Sequence, residues 1–379
     1  MRSRLVIVLP LAAAGVWLGV AWARHDPDGW LREFDGLRVH MARHYANLDW
    51  MVQHRRMDLP ALVSATERDL RSSLIPWQAS RALKRFVAAF DDPHLKIEPL
   101  RPIPPRATEP PPAAAKSAPE PPSCDRFHTR DRSFRFPFEQ AEGWRPAGGP
   151  WFPAGSFADV GVLRIALFGE DGYLEACQEV GPQGVRERLQ EELRRTIREL
   201  RERNVRALVV DISGNGGGTE WVEHVTALLT SRTLTRPSTR MIEPECDRTP
   251  VWTGRSVCPN LAPDGTKSLE GEGVWDGPLA LLVDGGTASA SEDMVVWLRE
   301  SHAATIIGER TYGAGCGYVR GGNPARLESI GWMVLLPNCA RYTSDGINEV
   351  EGIDPDVPLK LNEGSAADRL DRLVKALPG

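Results

Sequence analysis

The stretch LALLVDGGTASASEDM, residues 279–294, decides the fold, because an apolar run passes through a short turn of small residues into a helical pattern. Such a run is long enough for a buried strand and too short for a helix. The arrangement recurs at residues 205–218, where VRALVVDI leads into SGNGGG, and a helical TEWVEHVTALL follows. Repeated strand, turn and helix predicts βαβ crossovers and a mostly parallel sheet, which is an α/β fold.

Composition changes along the chain divide it into segments. Three further apolar runs, at 161–167, 303–308 and 331–337, are predicted to complete the strand set. The predicted segments are a helical subdomain at 30–98, a Pro-rich linker or loop at 99–123, a connecting segment at 124–157, the α/β core at 158–362 and a C-terminal helix at 363–379. In the core, residues 185–200 are expected to form an amphipathic helix with the apolar stripe Val185, Leu189, Leu193, Ile197 and Leu200.

The charge and the N-terminal sequence bear on partners and location. With a net charge of -5 over 379 residues, the chain has no basic footprint for nucleic acid. Residues 5–23 carry no charge and follow two arginines. This pattern predicts export, by a signal peptide cleaved after Ala23 or by a membrane anchor formed by residues 5–23. The folded part is therefore expected outside the cytoplasm, in the periplasm or secreted.

Six cysteines in an exported chain predict disulfides. Proximity in the sequence favours Cys246 with Cys258, and Cys316 with Cys339. No cysteine stands in a CxxC pair, and Met41 stands where an HExxH zinc site would carry glutamate between His40 and His44. Neither a metal nor an organic cofactor is therefore expected.

Two loops at the carboxyl ends of predicted strands are candidates for chemistry, because ligands bind at that edge of open α/β sheets. The glycines of DISGNGGG, residues 211–218, indicate a tight turn, or backbone amides that donate to an oxyanion. In TASASEDM, Ser289 and Glu292 fit a capping box, and Ser291 is a second candidate cap. A serine between strand and helix can also be an exposed nucleophile. The spacing leaves both readings open.

A nucleophilic serine needs a base. His94 lies in the loop sequence DDPHLKI, a context where functional residues concentrate, although most such histidines have no catalytic role. Near the end of the chain, NEVEGIDPD carries Glu349 among other acidic residues, which is also typical of a solvated turn.

Five motifs taken in order resemble the tail-specific, or C-terminal processing, protease family, which includes the tricorn-type peptidases. They are GVLRIALF, LVVDISGNGGG, LALLVDGGTASASEDM, IIGERTYGAGCG and EGIDPDVPL, within residues 158–360. The resemblance implies a ClpP/crotonase-like ββα core with an N-terminal helical part, and cleavage of a peptide or protein substrate by a serine nucleophile. No sequence typical of a PDZ domain is present.

The resemblance also implies roles for individual residues. Ser289 matches the nucleophile position, which leaves Ser291 and Glu292 to begin the helix. The oxyanion donors implied are the amide of Ala290 and one from Gly217 or Gly218. Ala314 stands where the Ser/Lys branch carries its lysine, so that base is missing.

The tricorn-type branch uses a histidine and a glutamate instead, and His94 and Glu349 match these positions. Pro93 replaces a serine of that branch, and Ser213 replaces an arginine common in the family. Two other function classes stay open: a catalytically inactive member that binds a peptide or small ligand, and an acyl-CoA enzyme of the crotonase type, against which the export signal argues.

Overall fold

A computed structural model describes residues 25–100, 123–243, 246–258, 261–262 and 265–378. The predicted signal or anchor at 1–23 and most of the Pro-rich segment at 99–123 lie outside the described residues. Within the described ranges, no helix combines the length and the apolar character needed to span a membrane.

The described ranges contain nine α-helices and fourteen strands. The helices are α1 Pro27–His44, α2 Leu48–Gln53, α3 Leu59–Arg71, α4 Pro76–Ala88, α5 Leu174–Val180, α6 Val185–Glu202, α7 Trp221–Leu228, α8 Ala290–Glu300 and α9 Ala366–Ala376. The strands are β1 Lys96–Pro99, β2 Arg145–Gly148, β3 Pro153–Phe157, β4 Val160–Arg164, β5 Ala207–Asp211, β6 Leu234–Pro237, β7 Arg240–Met241, β8 Thr266–Leu269, β9 Leu279–Val283, β10 Thr305–Gly308, β11 Ala325–Leu327, β12 Trp332–Leu335, β13 Cys339–Ala340 and β14 Val357–Pro358.

The chain divides into two compact units. The helical unit contains the residues up to 106, with 240–262 and 317–340, and the sheet unit contains 107–239, 263–316 and 341–379. The helical unit thus takes in two stretches from the region that the sequence assigned to the α/β core.

A seven-stranded sheet in the order β14-β10-β9-β5-β4-β3-β2 forms the centre of the sheet unit. Five neighbouring strands of this sheet, β14, β10, β9, β5 and β4, are parallel to one another. Strands β3 and β2 complete the sheet beyond β4 with antiparallel pairing. Every residue of β5 and β9 is buried, as the apolar runs require of strands covered on both faces. The apolar stripe of α6 is fully buried. The prediction of an α/β fold with a helical N-terminal part is confirmed.

One predicted member of the strand set belongs elsewhere. The run at 331–337 forms β12, which pairs antiparallel with β1 and β11 in a three-stranded sheet of the helical unit. The sequence prediction that it completes the parallel set is wrong. A short apolar run specifies a buried strand but not its partners, which depend on pairing with distant residues.

The helical unit has a core of aromatic side chains, and it contains a buried ion pair between Arg248 and Asp49. Phe34 and Phe86 pack edge to face with their ring centroids 4.8 Å apart. Arg248 Nε donates to Asp49 Oδ2 at 2.6 Å, and both residues are buried. The other carboxylate oxygen accepts hydrogen bonds from Ser256 Oγ and Val257 N–H. The buried carboxylate is thereby satisfied, as a charge out of water must be.

Disulfides account for all six cysteines. Cys246 bonds Cys258, which confirms that predicted pair, and Cys124 bonds Cys177 across 53 residues of sequence. Cys316 and Cys339 are also disulfide-bonded. A full set of disulfides is typical of a protein that folds in an oxidising compartment.

Candidate active site

The two loops that the sequence singled out meet in the sheet unit. They follow β5 and β9, which are adjacent parallel strands, so both lie at the carboxyl edge. We refer to residues 213–218 as the glycine turn and to residues 284–289 as the Ser289 turn. Asp284 Oδ1 accepts from Gly214 N–H at 2.6 Å and from Gly286 N–H at 2.9 Å, and Ala288 N–H donates to Asn215 O at 3.0 Å. These hydrogen bonds hold the two turns side by side.

Ser289 has a backbone conformation that is rare for a residue with a side chain. Its φ is 57° and its ψ is -115°, immediately before α8. Such a conformation costs roughly 1–3 kcal/mol and persists only where the surroundings impose it. Here the Ser289 N–H donates to Glu292 Oε2 at 2.9 Å, and the Ser289 carbonyl accepts from Arg341 at 2.9 Å. Both sides of the strained residue are therefore fixed by charged side chains.

The two serines occupy different positions at the start of α8. Ser289 occupies the N-cap position of α8, and Glu292 is the third helical residue. Ser291 lies inside the first turn, completely buried, and its Oγ has no hydrogen-bond partner among the described residues. The capping box that the sequence suggested for Ser289 and Glu292 is present, and Ser291, the second candidate cap, lies in the first turn and does not cap the helix. The N-cap residue of α8 is thus the half-buried serine, Ser289, which is also the residue that matches the nucleophile position.

Glu292 connects the Ser289 turn to the loop at 311–315. Besides the Ser289 amide, its carboxylate accepts hydrogen bonds from Thr311 Oγ1 at 2.7 Å and from the amides of Gly313, Ala314 and Gly315 at 2.8, 2.9 and 3.0 Å. Burial raises the pKa of the Glu292 carboxyl, although the hydrogen bonds from Thr311 and Gly313 oppose the shift. The sequence identified Glu292 as a capping residue only, and its link to the second loop had no sequence signal.

The glycine turn approaches the Ser289 turn too closely for any side chain. A Cβ on Gly217 would lie 2.7 Å from Ala288 O, 2.8 Å from Ala290 N and 2.8 Å from Ser289 Cβ. The φ of Gly217 is 100°, which also favours glycine. Glycine is therefore required here, and the backbone of the turn lies directly against Ser289.

The amides around Ser289 differ in what they donate to. Gly217 N–H donates to Asn215 Oδ1 at 3.0 Å. Phe168 N–H donates to Gly217 O, and Thr219 N–H donates to Phe168 O, so Phe168 pairs with Gly218 as in a parallel sheet. The Gly218 N–H therefore points away from Phe168. Ala290 is the first residue of α8, where an N–H has no acceptor within the helix.

Four buried charged residues, which we call the buried charge cluster, contact the Ser289 turn through Arg341. They are Arg236, Asp293, Arg341 and Glu349. Glu349 is fully buried, and its two oxygens accept from Arg236 at 2.6 Å and from Arg341 Nε at 2.7 Å. Asp293 pairs with the same two arginines. Burial alone would raise the pKa of Asp293, but Arg341 and Arg236 outweigh it and hold that pKa below its ordinary value. Of this buried charge cluster the sequence suggested only Glu349, because nothing local marks the other three.

His94 belongs to the helical unit, in a loop at residues 91–95 that we call the His94 loop. Its N–H donates to Asp92 Oδ1 at 3.0 Å, and its carbonyl accepts from the Tyr318 hydroxyl. The other Asp92 oxygen accepts from Tyr45 and Asn47, each at 3.0 Å.

The half-buried His94 ring packs against its neighbours within the helical unit. It meets the Tyr318 ring edge to face, with the centroids 5.5 Å apart. A Cβ on Gly317 would lie 2.9 Å from His94 Nε2, so a glycine at 317 makes room for the imidazole. Burial raises the pKa of the Tyr318 hydroxyl, which keeps it a hydrogen-bond donor to the His94 carbonyl.

The structure brings together Ser289, Ala290, Gly217 and Gly218, and it connects Glu349 to them through Arg341. His94 is carried by the other unit. Among the described residues, no cluster of three or more His, Cys, Asp or Glu side chains has the arrangement of a metal site. The chemistry that these residues support is nucleophilic attack by a serine beside backbone donors.

Comparison with known proteins gives the family. The model of peptidase family S41 matches residues 159–359, slightly more than half of the chain. The chloroplastic carboxyl-terminal-processing peptidase 2 of Arabidopsis thaliana is 30% identical over 175 residues, 44% of this chain and 28% of that protein. The carboxyl-terminal-processing protease of Synechocystis sp. is 24% identical over 160 residues, 41% of this chain and 28% of that protein. The chain thus spans little more than a quarter of the length of these curated relatives.

Solved structures show the same fold over nearly the whole chain. Mature CPAF in complex with lactacystin has a TM-score of 0.62 at 15% identity, covering 92% of this chain and 98% of CPAF. A putative peptidase from Parabacteroides merdae has a TM-score of 0.59 at 13% identity, covering 93% and 96%. The resemblance to tail-specific proteases inferred from the motifs is confirmed. The chain belongs to peptidase family S41.

Proposed function

We propose that the protein is a serine peptidase that hydrolyses peptide bonds with Ser289 as the nucleophile. The observation that carries the proposal is the strained backbone of Ser289 at the carboxyl edge of the sheet. Strain at a strand-to-helix turn exposes a serine hydroxyl in serine hydrolases, and the surrounding structure has to stabilise it. Glu292 and Arg341 supply that stabilisation here from the two sides of the residue.

Backbone amides are proposed to hold the oxyanion. When Ser289 Oγ attacks the substrate carbonyl carbon, the carbonyl oxygen becomes an oxyanion, and preorganised N–H donors stabilise it most where they need no reorganisation. The Ala290 amide follows the nucleophile at the N-terminus of α8, whose dipole also favours negative charge. Of the glycine turn, Gly218 is favoured as the second donor, since the Gly217 amide already donates to Asn215.

His94 is proposed as the general base. It takes the Ser289 hydroxyl proton during attack and gives it to the leaving amine as the C–N bond breaks, which leaves an acyl-enzyme. Water then adds to the acyl carbon, with His94 taking its proton and returning it to Ser289. The lysine position of the other branch cannot supply this base, because it holds Ala314, a buried residue with no proton acceptor in its side chain.

Glu349 is proposed to orient and support the imidazolium. A carboxylate has about four acceptor sites on its two oxygens, so its bonds to Arg236 and Arg341 leave capacity for a histidine N–H. Through Arg341 the same carboxylate also helps to fix the Ser289 carbonyl. Glu349 would then serve both the base and the nucleophile.

The proposed substrate is a peptide or protein outside the cytoplasm. The carboxyl-terminal-processing names of the relatives support peptide-bond hydrolysis near a chain terminus. Residues 5–23 and the complete set of disulfides support export. The alternative is a catalytically inactive binding protein, favoured by the replacement of the family lysine with Ala314.

A fluorophosphonate probe separates these two functions, since it labels only an activated serine. We expect wild-type protein to be labelled at Ser289, identified by mass spectrometry of the modified peptide. Ser289→Ala should abolish labelling and lower peptidase activity by roughly 10⁴-fold or more, with little change in the thermal unfolding midpoint. Ser291→Ala is the matched control and should keep its labelling. A wild-type Ser289 that stays unlabelled would favour the binding protein.

A further inference from the structure

An exposed apolar and basic surface lies where α3 is followed by α4. We define the Trp77 surface as Arg71, Leu74, Trp77 and Arg81. Leu74 and Trp77 expose 60% and 62% of their surface, among the largest values for apolar residues in the described part of the chain. The Arg81 guanidinium lies 5.5 Å from the Trp77 ring centroid, so charge and aromatic surface are presented together.

The charge of this region is opposite to that of the whole chain. The sequence RDLRSSLIPWQASRALKR, residues 68–85, contains five basic residues and one acidic residue, in a chain whose net charge is -5. The acidic residue, Asp69, pairs with Arg85 at 2.7 Å and does not neutralise Arg71 or Arg81. The surface is therefore suited to an anionic partner.

The chain enters the helical unit beside this surface. His25, the first described residue, is hydrogen-bonded through Nε2 to Ser73 Oγ at 2.7 Å. Ser73 is buried and directly precedes Leu74. Only Arg24 separates His25 from the uncharged sequence at 5–23, which is long enough to span a bilayer. An apolar stretch that inserts into a membrane would thus hold the Trp77 surface close to the headgroups.

We propose that the Trp77 surface docks on a lipid bilayer that contains anionic headgroups. Tryptophan and leucine would enter the interfacial region, where an amphipathic ring is favoured, while Arg71 and Arg81 contact the phosphates. Insertion of apolar side chains and attraction of basic side chains to phosphates together give a stable membrane association that neither gives alone. This proposal does not depend on the peptidase activity, because its residues lie outside the proposed catalytic set.

A single fluorophore on the full chain tests the proposal. All six cysteines are disulfide-bonded, so an introduced cysteine is the one reactive thiol. We would place an environment-sensitive dye at Leu74→Cys, and at Ser72→Cys as a nearly isosteric second site. Val39→Cys is the matched control, since Val39 is 40% exposed and lies about 18 Å along α1 from its start.

The labelled chains are reconstituted into vesicles of phosphatidylglycerol and phosphatidylcholine, or of phosphatidylcholine alone, with doxyl-labelled lipid as the quencher. We expect quenching at positions 72 and 74 at least about twofold above that at 39, only with phosphatidylglycerol, and reduced in 1 M salt, where the Debye length is about 3 Å. Arg71→Gln and Arg81→Gln should each weaken the dependence on phosphatidylglycerol about fivefold. Trp77→Ala should lower the quenching that remains at high salt.

Three results would overturn the proposal. One is equal quenching at positions 74 and 39 in the anionic vesicles. Another is quenching at 74 that is the same with and without phosphatidylglycerol. A third is a blue shift at 74 that grows with protein concentration in the absence of lipid, which would identify a second copy of the chain as the occupant.

Discussion

The Ser289 turn and the His94 loop are held in different ways. Ser289 has a strained backbone fixed by Glu292 and Arg341, both buried and charged. His94 is fixed at its N–H by the buried Asp92 and at its carbonyl by the Tyr318 hydroxyl. A residue in a strained conformation needs strong and redundant contacts. His94 itself has no positive φ and is held at its backbone by hydrogen bonds with Asp92 and Tyr318. Substitutions near the serine should therefore change geometry, and those at the histidine should change proton transfer.

Replacement of His94 tests whether the histidine acts in proton transfer, and it should have the largest effect. We expect His94→Asn to lower kcat/KM by roughly 10⁴-fold, because the proposed base is lost while the Ser289 turn keeps its contacts. The unfolding midpoint should change little. The measurement is peptidase activity alongside thermal unfolding.

The control is His54→Asn, since His54 stacks on Trp50 in the same unit and is exposed. Full activity in His94→Asn would remove this histidine from the proposed mechanism. It would leave the nucleophile untouched, because Ser289 is tested separately by the probe.

Lysine substitutions in the buried charge cluster test whether its arginines fix the geometry of the Ser289 turn. Arg341→Lys keeps the charge but loses the planar fork that reaches Glu349 and the Ser289 carbonyl together. Misplacement of a reacting group by about 1 Å can cost about 100-fold. We expect Ser289 labelling by the fluorophosphonate to slow by roughly 10-fold to 100-fold.

Arg236→Lys is the matched variant. Arg236 pairs with the same two carboxylates, Glu349 and Asp293, but its Nε donates to the Pro237 carbonyl rather than to the Ser289 backbone. It should lose similar stability and slow labelling by less than about threefold, the size of effect expected without misplacement of the serine. Equal slowing in the two variants would mean that the cluster acts through general stability rather than through the Ser289 carbonyl.

The sequence predicted those parts of the site that depend on local pattern. The strands β5 and β9, the glycine turn and the serine at the helix start are all marked by short-range signals. The buried charge cluster has no short-range signal in the sequence, because Arg236, Asp293 and Arg341 come from three separate segments that only the fold brings together. The capping box of Ser289 and Glu292 also follows from their spacing. The φ of Ser289 does not, because contacts with distant residues such as Arg341 impose it.

The buried ion pairs of the two units can be compared by unfolding the protein at low pH. We expect their effect on stability to be the smallest of the effects predicted. Burial opposes ionisation of Asp49, but Arg248 and hydrogen bonds from Val257 and Ser256 outweigh it and lower its pKa. The pKa of Asp293 is lowered by Arg341 and Arg236. A carboxyl with a lowered pKa in the folded state binds more protons when unfolded, so stability rises with pH in that range.

We therefore expect the free energy of unfolding in urea to be steady from pH 7 to about 5 and to fall below about pH 4, near the unfolded pKa of aspartate. Asp49→Asn and Asp293→Asn should be less stable at pH 7 yet show a shallower acid decline, because asparagine does not titrate. Asp371→Asn, at an exposed site paired with Lys375, is the control and should keep the wild-type slope. If Asp293→Asn also keeps that slope, its ion pairs with Arg236 and Arg341 do not stabilise the folded state.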